Sequence, residues 1–249
     1  MKIYAISDLH LSFMAKKPMD IFGGHWEGYT DKIKENWQNV VSENDLVLIA
    51  GDISWAMKLE ETMADLEYID KLNGKKVIIK GNHEYWWKSI SAVREVLPRS
   101  ISALQNDSAR FENVLVAGTR GWQVPESEND PSFTEEDKKI YAREKIRLEL
   151  ALEDMQKKRK AEDKVVCLIH YPPFNSKKED SYFTELFEKY HVDAVIYGHL
   201  HKSAGRYPNI YIKNNIKYYL TSADLISMKP VLILSLIHIS EPTRLDVIS

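Results

Sequence analysis

The sequence predicts an α/β fold on three observations. Short apolar, β-branched runs recur along the 249-residue chain and end in polar blocks, amphipathic helical patterns lie between them, and after residue 201 the pattern changes to short alternating segments. Runs of four to eight such residues read as buried strands, and strands alternating with helical patterns read as βαβ units.

Taken in order, Ile3 to Ile6 form the first run and lead into Asp8-Leu-His10. A crossover helix follows with Ile33, Trp37, Val40 and Val41 on one face, and then Leu46 to Ile49 lead into Gly51-Asp52. Leu59, Met63 and Leu66 mark a second helix before Val77 to Ile79, which end at Gly81-Asn82-His83-Glu84. The longest helix is expected from about Thr134 to Lys160, where Tyr141, Leu148, Leu152 and Met155 align and charged residues take the other side. Its basic end, Lys157 to Lys160, reads as a solvated terminus rather than a nucleic-acid patch. Val165 to Ile169 then deliver His170, and Ala194 to Ile196 deliver His199-Leu-His201 through Tyr197 and Gly198. His191, between a helix and a strand, reads as a helix-end residue favoured by the dipole. Asn209 to Lys213 and Ile216 to Thr221 read as an antiparallel meander.

Composition fits one globular domain, without repeat or linker. With 34 basic and 37 acidic residues the net charge is −3, which gives no bulk electrostatic argument for nucleic acid. A nuclease would need a local basic path instead. The single cysteine, Cys167, lies inside a strand and reads as a buried, inert thiol, so no intrachain disulfide forms. No apolar segment is long enough for a membrane span or signal peptide, and a cytoplasmic protein without a membrane partner is expected.

The polar blocks carry the chemistry. In α/β sheets ligands bind beyond the carboxyl ends of the strands, so distant segments deliver side chains to one crevice. Residues i and i+2 of an extended segment share a face, the spacing of Asp8 with His10 and of His199 with His201. Glycine precedes Asp52, Asn82 and His199, where close approach of neighbouring groups is expected. Two aspartates, one asparagine and four or five histidines, with no thiolate, suit manganese, iron, zinc or cobalt better than calcium or magnesium alone. A carboxylate such as Asp52 is placed to bridge two cations about 3.5 to 4 Å apart. Any one block alone reads equally as a strand cap or a solvated loop; five in order point to a two-metal site.

These blocks resemble the signature of the calcineurin-like metallophosphoesterase superfamily, in its bacterial-type phosphohydrolase form, from Asp8 to His201. The resemblance implies a four-layer α/β/β/α sandwich of two mixed sheets flanked by helices, with the metal site at the strand C-terminal ends. It implies one divalent metal ion on Asp8, His10, Asp52 and His201, and a second on Asp52, Asn82, His170 and His199. His83 then stands beside the leaving group, and metal-bound hydroxide attacks a phosphomonoester, phosphodiester or nucleotide in line. Manganese is the expected metal, with iron, zinc or cobalt as alternatives. Protein phosphatases of this superfamily extend the second block to Gly-Asp-x-x-Asp-Arg-Gly, whereas here it reads Gly51-Asp-Ile-Ser-Trp55-Ala-Met57. The second aspartate and the arginine are absent, which counts against a protein substrate and leaves the group orienting His83 open between Glu84 and others. A non-catalytic metal-binding scaffold for protein interaction is the alternative from another class.

Recognition is expected in the loops between blocks. His25 and Trp26, in the segment Met14 to Tyr29, and Trp122, in Gly121 to Pro131, are candidate substrate contacts, with packing of the loops as the alternative. Trp86, beside Trp87 and just after the His83 block, is a further candidate for the leaving-group wall, with helix-to-sheet packing as its alternative. The domain is expected over residues 1–233. Residues 234–249, beginning Leu-Ser-Leu-Ile-His-Ile-Ser-Glu-Pro-Thr-Arg, resemble an in-frame translation of a transposase adapter used in sequencing libraries and are read as a foreign tail.

Overall fold

A computed structural model describes residues 1–15, 17, 19–201 and 208–236. Two mixed sheets lie face to face. The first contains β1 (Lys2–Ile6), β2 (Leu46–Ile49), β3 (Lys75–Ile79), β4 (Ile101–Leu104) and β11 (Val231–Ser235), in the order β11-β1-β2-β3-β4. The second contains β5 (Asp107–Phe111), β6 (Val114–Thr119), β7 (Lys164–Ile169), β8 (Ala194–Tyr197), β9 (Ile210–Lys213) and β10 (Ile216–Leu220), in the order β5-β6-β7-β8-β10-β9. The inner strands of both sheets run parallel, and antiparallel strands close the edges at β11, β5 and β9.

Period-2 alternation explains the layering. Ile3 and Ala5 of β1, with Leu46 and Leu48 of β2, face Val114, Val116, Val166 and Leu168 of the second sheet. Tyr4, Ile6, Val47 and Ile49 point the other way, onto α1 (Tyr29–Val40) and α2 (Met63–Asp70) with Ile33, Trp37 and Leu66. Val165, Cys167 and Ile169 of β7 take the far face of the second sheet, covered by α4 (Glu135–Lys158) and α5 (Tyr182–Lys189). The remaining helix, α3 (Ile90–Val96), buries Val93 against the first sheet. Three apolar layers between four structural ones give the expected sandwich.

The crossover helices fall where the patterns placed them. α4 starts at Thr134, whose Oγ1 accepts from the Asp137 amide while the Asp137 carboxylate accepts from the Thr134 amide, a reciprocal cap. Cys167 is fully buried and burial pushes its thiol pKa up, so it is inert as expected. His191 lies just past α5 in the left-handed region, φ 50°, its carbonyl accepting from Arg159.

Two expectations need correction. The segment after residue 201 is not a meander: β9 and β10 form a hairpin, but β10 runs parallel to β8, and β11 crosses to the first sheet beside β1. A strand that follows a long crossover joins where a free parallel edge exists, and β8 supplies one. The strands β4 to β6 have no counterpart among the apolar runs read in the sequence. Leu234 and Ser235 complete β11, paired with Ile3 and Lys2, while residues 237–249, including most of the suspected tail, lie outside the described residues. No helix among the described residues is long and apolar enough to cross a membrane.

Candidate metal centre

Loops leaving β1, β2, β3, β7 and β8 at their carboxyl ends meet in one crevice. The β1 and β2 loops continue their parallel pairing past the strands: the amides of Asp8, His10 and Leu11 donate to the carbonyls of Gly51, Asp52 and Ile53. Leu9 and Leu11 point into the helix-side core while Asp8 and His10 turn to the crevice. Asp8, His10, Asp52 and His199 all adopt positive φ, between 46° and 70°. Such backbone costs on the order of 1–3 kcal/mol each and persists where surroundings over-determine it.

Close approach explains two glycines. A Cβ at Gly81 would overlap Asp52 Oδ1 and crowd the Asp52 amide, and a Cβ at Gly198 would overlap Asp8 Oδ2 and Ser7 Oγ. Only hydrogen at these positions lets the loops touch.

Two donor clusters result, Asp8 with His10 and His201, and Asp52 with His170 and His199, each with its ligand atoms within 4.8 Å of one another. The pair His199 and His201 therefore splits between clusters despite its shared-face spacing. Asn82 joins the second cluster, its Oδ1 lying 2.8 Å from His170 Nε2 and 2.9 Å from His199 Nδ1. Asp52 Oδ2 lies 3.4 Å from His170 Nε2 and 3.9 Å from His10 Nε2, between the two clusters.

Hydrogen bonding fixes the tautomers. The Ala50 carbonyl, 2.9 Å from His170 Nδ1, can only accept, so Nδ1 carries a proton and Nε2 faces the Asn82 and Asp52 oxygens, where it holds either a second proton or a cation. Likewise His201 Nδ1 lies 3.1 Å from Asp224 Oδ1, which turns His201 Nε2 toward His10 Nε2 at 3.3 Å and Asp8 Oδ1 at 3.7 Å. Acceptors converging on one point need a proton or a cation between them. Imidazoles that donate their second N–H to a carbonyl or carboxylate are the usual form of a metal ligand. The donor set therefore fits divalent ions.

Electrostatics of the metal-free chain agree. Burial lowers His10 and His199 to about 3, so both rings are neutral. Burial opposes charge on His170 too, but the Asp52 carboxylate outweighs it, with Asp8 helping, and pushes the ring up to about 9. Burial raises the Asp8 carboxyl; at Asp52 burial is outweighed by His170, which holds that carboxylate well below the usual range. A His170 proton thus balances the Asp52 charge where a cation would.

His83 sits at the solvent side, its side chain 31% exposed and Nε2 3.9 Å from Asp52 Oδ2. Its amide donates to Asp52 Oδ1 at 2.9 Å, and its ring lies against Trp55, centroids 4.2 Å apart. Glu84, a candidate to orient it, does something else. Buried rather than surface-exposed, its carboxylate accepts from the amides of Gly81, Asp52, Ile53 and Ser54 and ties the β2 and β3 loops together. Burial first, then Asp52, raises it to about 7. The immediate neighbours of the His83 ring are Trp55, His10 and Tyr85.

The candidate substrate contacts separate. His25 and Trp26 line a cavity that opens onto His10, His83 and His201. Trp86, 2% exposed, packs in the helix-side core and does not wall that cavity, because the short turn after His83 directs it inward. Trp122 packs on Tyr171 and Arg120 and donates to Asp137, which docks its loop onto the start of α4. Sequence reading missed Trp55, stacked on His10 at 4.8 Å, and Asp224, the partner of His201. Asp224 follows the end of β10, so the strand-end rule finds it once β10 is recognised as parallel.

A family model described as calcineurin-like phosphoesterase matches residues 1–203. An uncharacterized protein of Methanocaldococcus jannaschii is 31% identical over 88 residues, 33% of this chain and 47% of that protein, so the chain spans about half the length of the curated relative it matches. Among solved structures, the phosphopantetheinyl hydrolase of Mycobacterium tuberculosis is similar with a TM-score of 0.58 at 12% identity, covering 94% of this chain and 96% of that one. TT1561 of Thermus thermophilus is similar with a TM-score of 0.52 at 12% identity, covering 93% and 97%. At these identities the likeness shows the shared fold. With the family model spanning all five polar blocks, the chain belongs to the calcineurin-like phosphoesterase family.

Proposed function

We propose that the chain hydrolyses a small phosphomonoester, phosphodiester or nucleotide at a dinuclear centre, with Asp8, His10, Asp52 and His201 holding one ion and Asp52, Asn82, His170 and His199 the other. Manganese is the proposed metal, with iron, zinc or cobalt as alternatives. The observation that carries this reading is the convergence of ligand atoms: His170 and His201 each donate the Nδ1–H to a fixed acceptor and aim Nε2 into oxygen-rich clusters flanking one Asp52 oxygen. When bound, two such ions neutralise phosphoryl oxygens and lower the pKa of water to about 7.

The residues divide the remaining work. Asp8 and Asp52 supply the negative charge that retains cations, and Glu84 holds the two loops in register so that Asp52 and Asn82 keep their separation. His83 faces the incoming ester. Burial lowers its pKa, so the ring is neutral near pH 7 and carries one N–H, which suits hydrogen-bond donation to a phosphoryl or departing oxygen better than full proton delivery. A cytoplasmic setting is proposed with this reading. Residues 1–233 are proposed as the native part of the domain and 234–249 as a foreign tail whose first two residues are taken up into β11, which resequencing of the source gene tests.

Manganese-dependent hydrolysis of bis(p-nitrophenyl) phosphate beside p-nitrophenyl phosphate tests the activity. Turnover of at least one, abolished by chelation and restored by manganese, is expected; diester preference identifies a phosphodiesterase and monoester preference a phosphatase. A metal-loaded protein inert toward both, and toward nucleotides, would move the reading to the scaffold.

A further inference from the structure

Beside His83 lies a cavity of about 350 Å³ whose floor is formed by His10, His83 and His201 and whose walls are Met19, Phe22, Trp26 and Trp55. Its wall chemistry is apolar and aromatic. Trp55 is held in place by contacts on three sides: its ring stacks on His10, tilts against His83, and its Nε1 donates to Met19 Sδ at 3.0 Å. Trp26 is buried and set edge-on to His10 and Tyr29. The Trp26 and Trp55 side of the wall is therefore preformed, as ligand pockets usually are.

Phe22, in the cavity wall, is 57% exposed, and by sequence it neighbours Ile21, 72% exposed in the same short helix. Asp224, also in the lining, is engaged by His201 Nδ1 at 3.1 Å and lies 3.9 Å from His25 Nε2, and Lys17 places its Nζ 4.5 Å from the Trp55 ring centroid.

We infer that the substrate is the phosphate ester of an apolar alcohol, its hydrocarbon or aromatic body seated against Trp55, Trp26 and Phe22 with the ester oxygen at His83. This rests on the phosphoesterase reading of the same site. Water adds to phosphorus as the bond to the ester oxygen breaks, and that oxygen takes a proton and departs as the alcohol into the cavity. Trp55 and Phe22 act as specificity residues, since neither touches the phosphoryl group in this arrangement.

Binding of non-hydrolysable phosphonates to the manganese-loaded protein, read by titration calorimetry, tests it. Phenylphosphonate should bind about tenfold or more tighter than methylphosphonate, as expected for burial of one ring. Trp55→Ala should bring the ratio near one. Because Trp55 also supports His10, Phe22→Ser serves as the second variant, and the ratio should fall there too. Equal affinity for the two phosphonates, or a ratio unmoved by either substitution, overturns the inference and leaves the phosphoesterase reading standing. Failure of the loaded protein to bind either phosphonate contradicts that reading and the inference with it.

Discussion

Gly81→Ala should lose both metal and turnover, although it adds one methyl group and removes no ligand. The added Cβ would overlap Asp52 Oδ1 and crowd the Asp52 amide, so the carboxylate placed between the two clusters has to move. A displacement of about 1 Å in a site of this kind costs roughly 100-fold in rate. The kcat/KM toward a nitrophenyl ester should therefore fall by about 100-fold or more, with bound manganese reduced. Overpacking of this size also destabilises a fold by about 1–3 kcal/mol, so the melting temperature should drop modestly while the chain remains folded. An alanine variant with parental metal content and activity would show that the close approach of the β2 and β3 loops is not needed.

His83→Ala should separate chemistry from metal binding. The ring contacts Trp55 and lies near Asp52 but belongs to neither donor cluster. Loss of a positioned donor or proton-transfer group typically costs about 10²- to 10⁴-fold, so kcat should fall in that range with manganese content unchanged. Its backbone amide still donates to Asp52 in the variant, which keeps the Asp52 carboxylate in place. Hydrolysis at the parental rate would remove His83 from the mechanism.

The strands that carry the site were legible because each combines a short β-branched run with a polar block at its end. That rule located Asp8, His10, Asp52, Asn82, His83, His170, His199 and His201, and the structure brings them to one crevice. It missed β5, an edge strand with few apolar residues and most of its side chains part-exposed, the short β4, and β6, whose buried Val-Leu-Val-Ala run carries the strand signal but ends in Gly118-Thr119 with no metal-ligating block to draw attention to it. β10 was visible as a strand but not as a parallel one, because alternation reports burial and not strand direction; Asp224 was missed for that reason.

Aromatic residues were the hardest to place. Trp55 and Trp86 both follow a metal block closely, yet Trp55 lines the cavity and Trp86 enters the core. Their directions depend on the turn each loop makes, and those turns are set by contacts far away in sequence, such as the Glu84 carboxylate reaching the amides of Asp52, Ile53 and Ser54. No local pattern encodes a contact between two loops some thirty residues apart.

The most direct measurement is the number of manganese ions bound per chain, by elemental analysis after equilibrium dialysis across a pH series. Two ions per chain are expected at mildly alkaline pH, with affinity weakening as pH falls. His170, held near 9 by Asp52 against its burial, must shed its proton for a cation to bind, and the cost of removing it grows with acidity. A plateau at one ion or none at every pH would contradict the dinuclear centre.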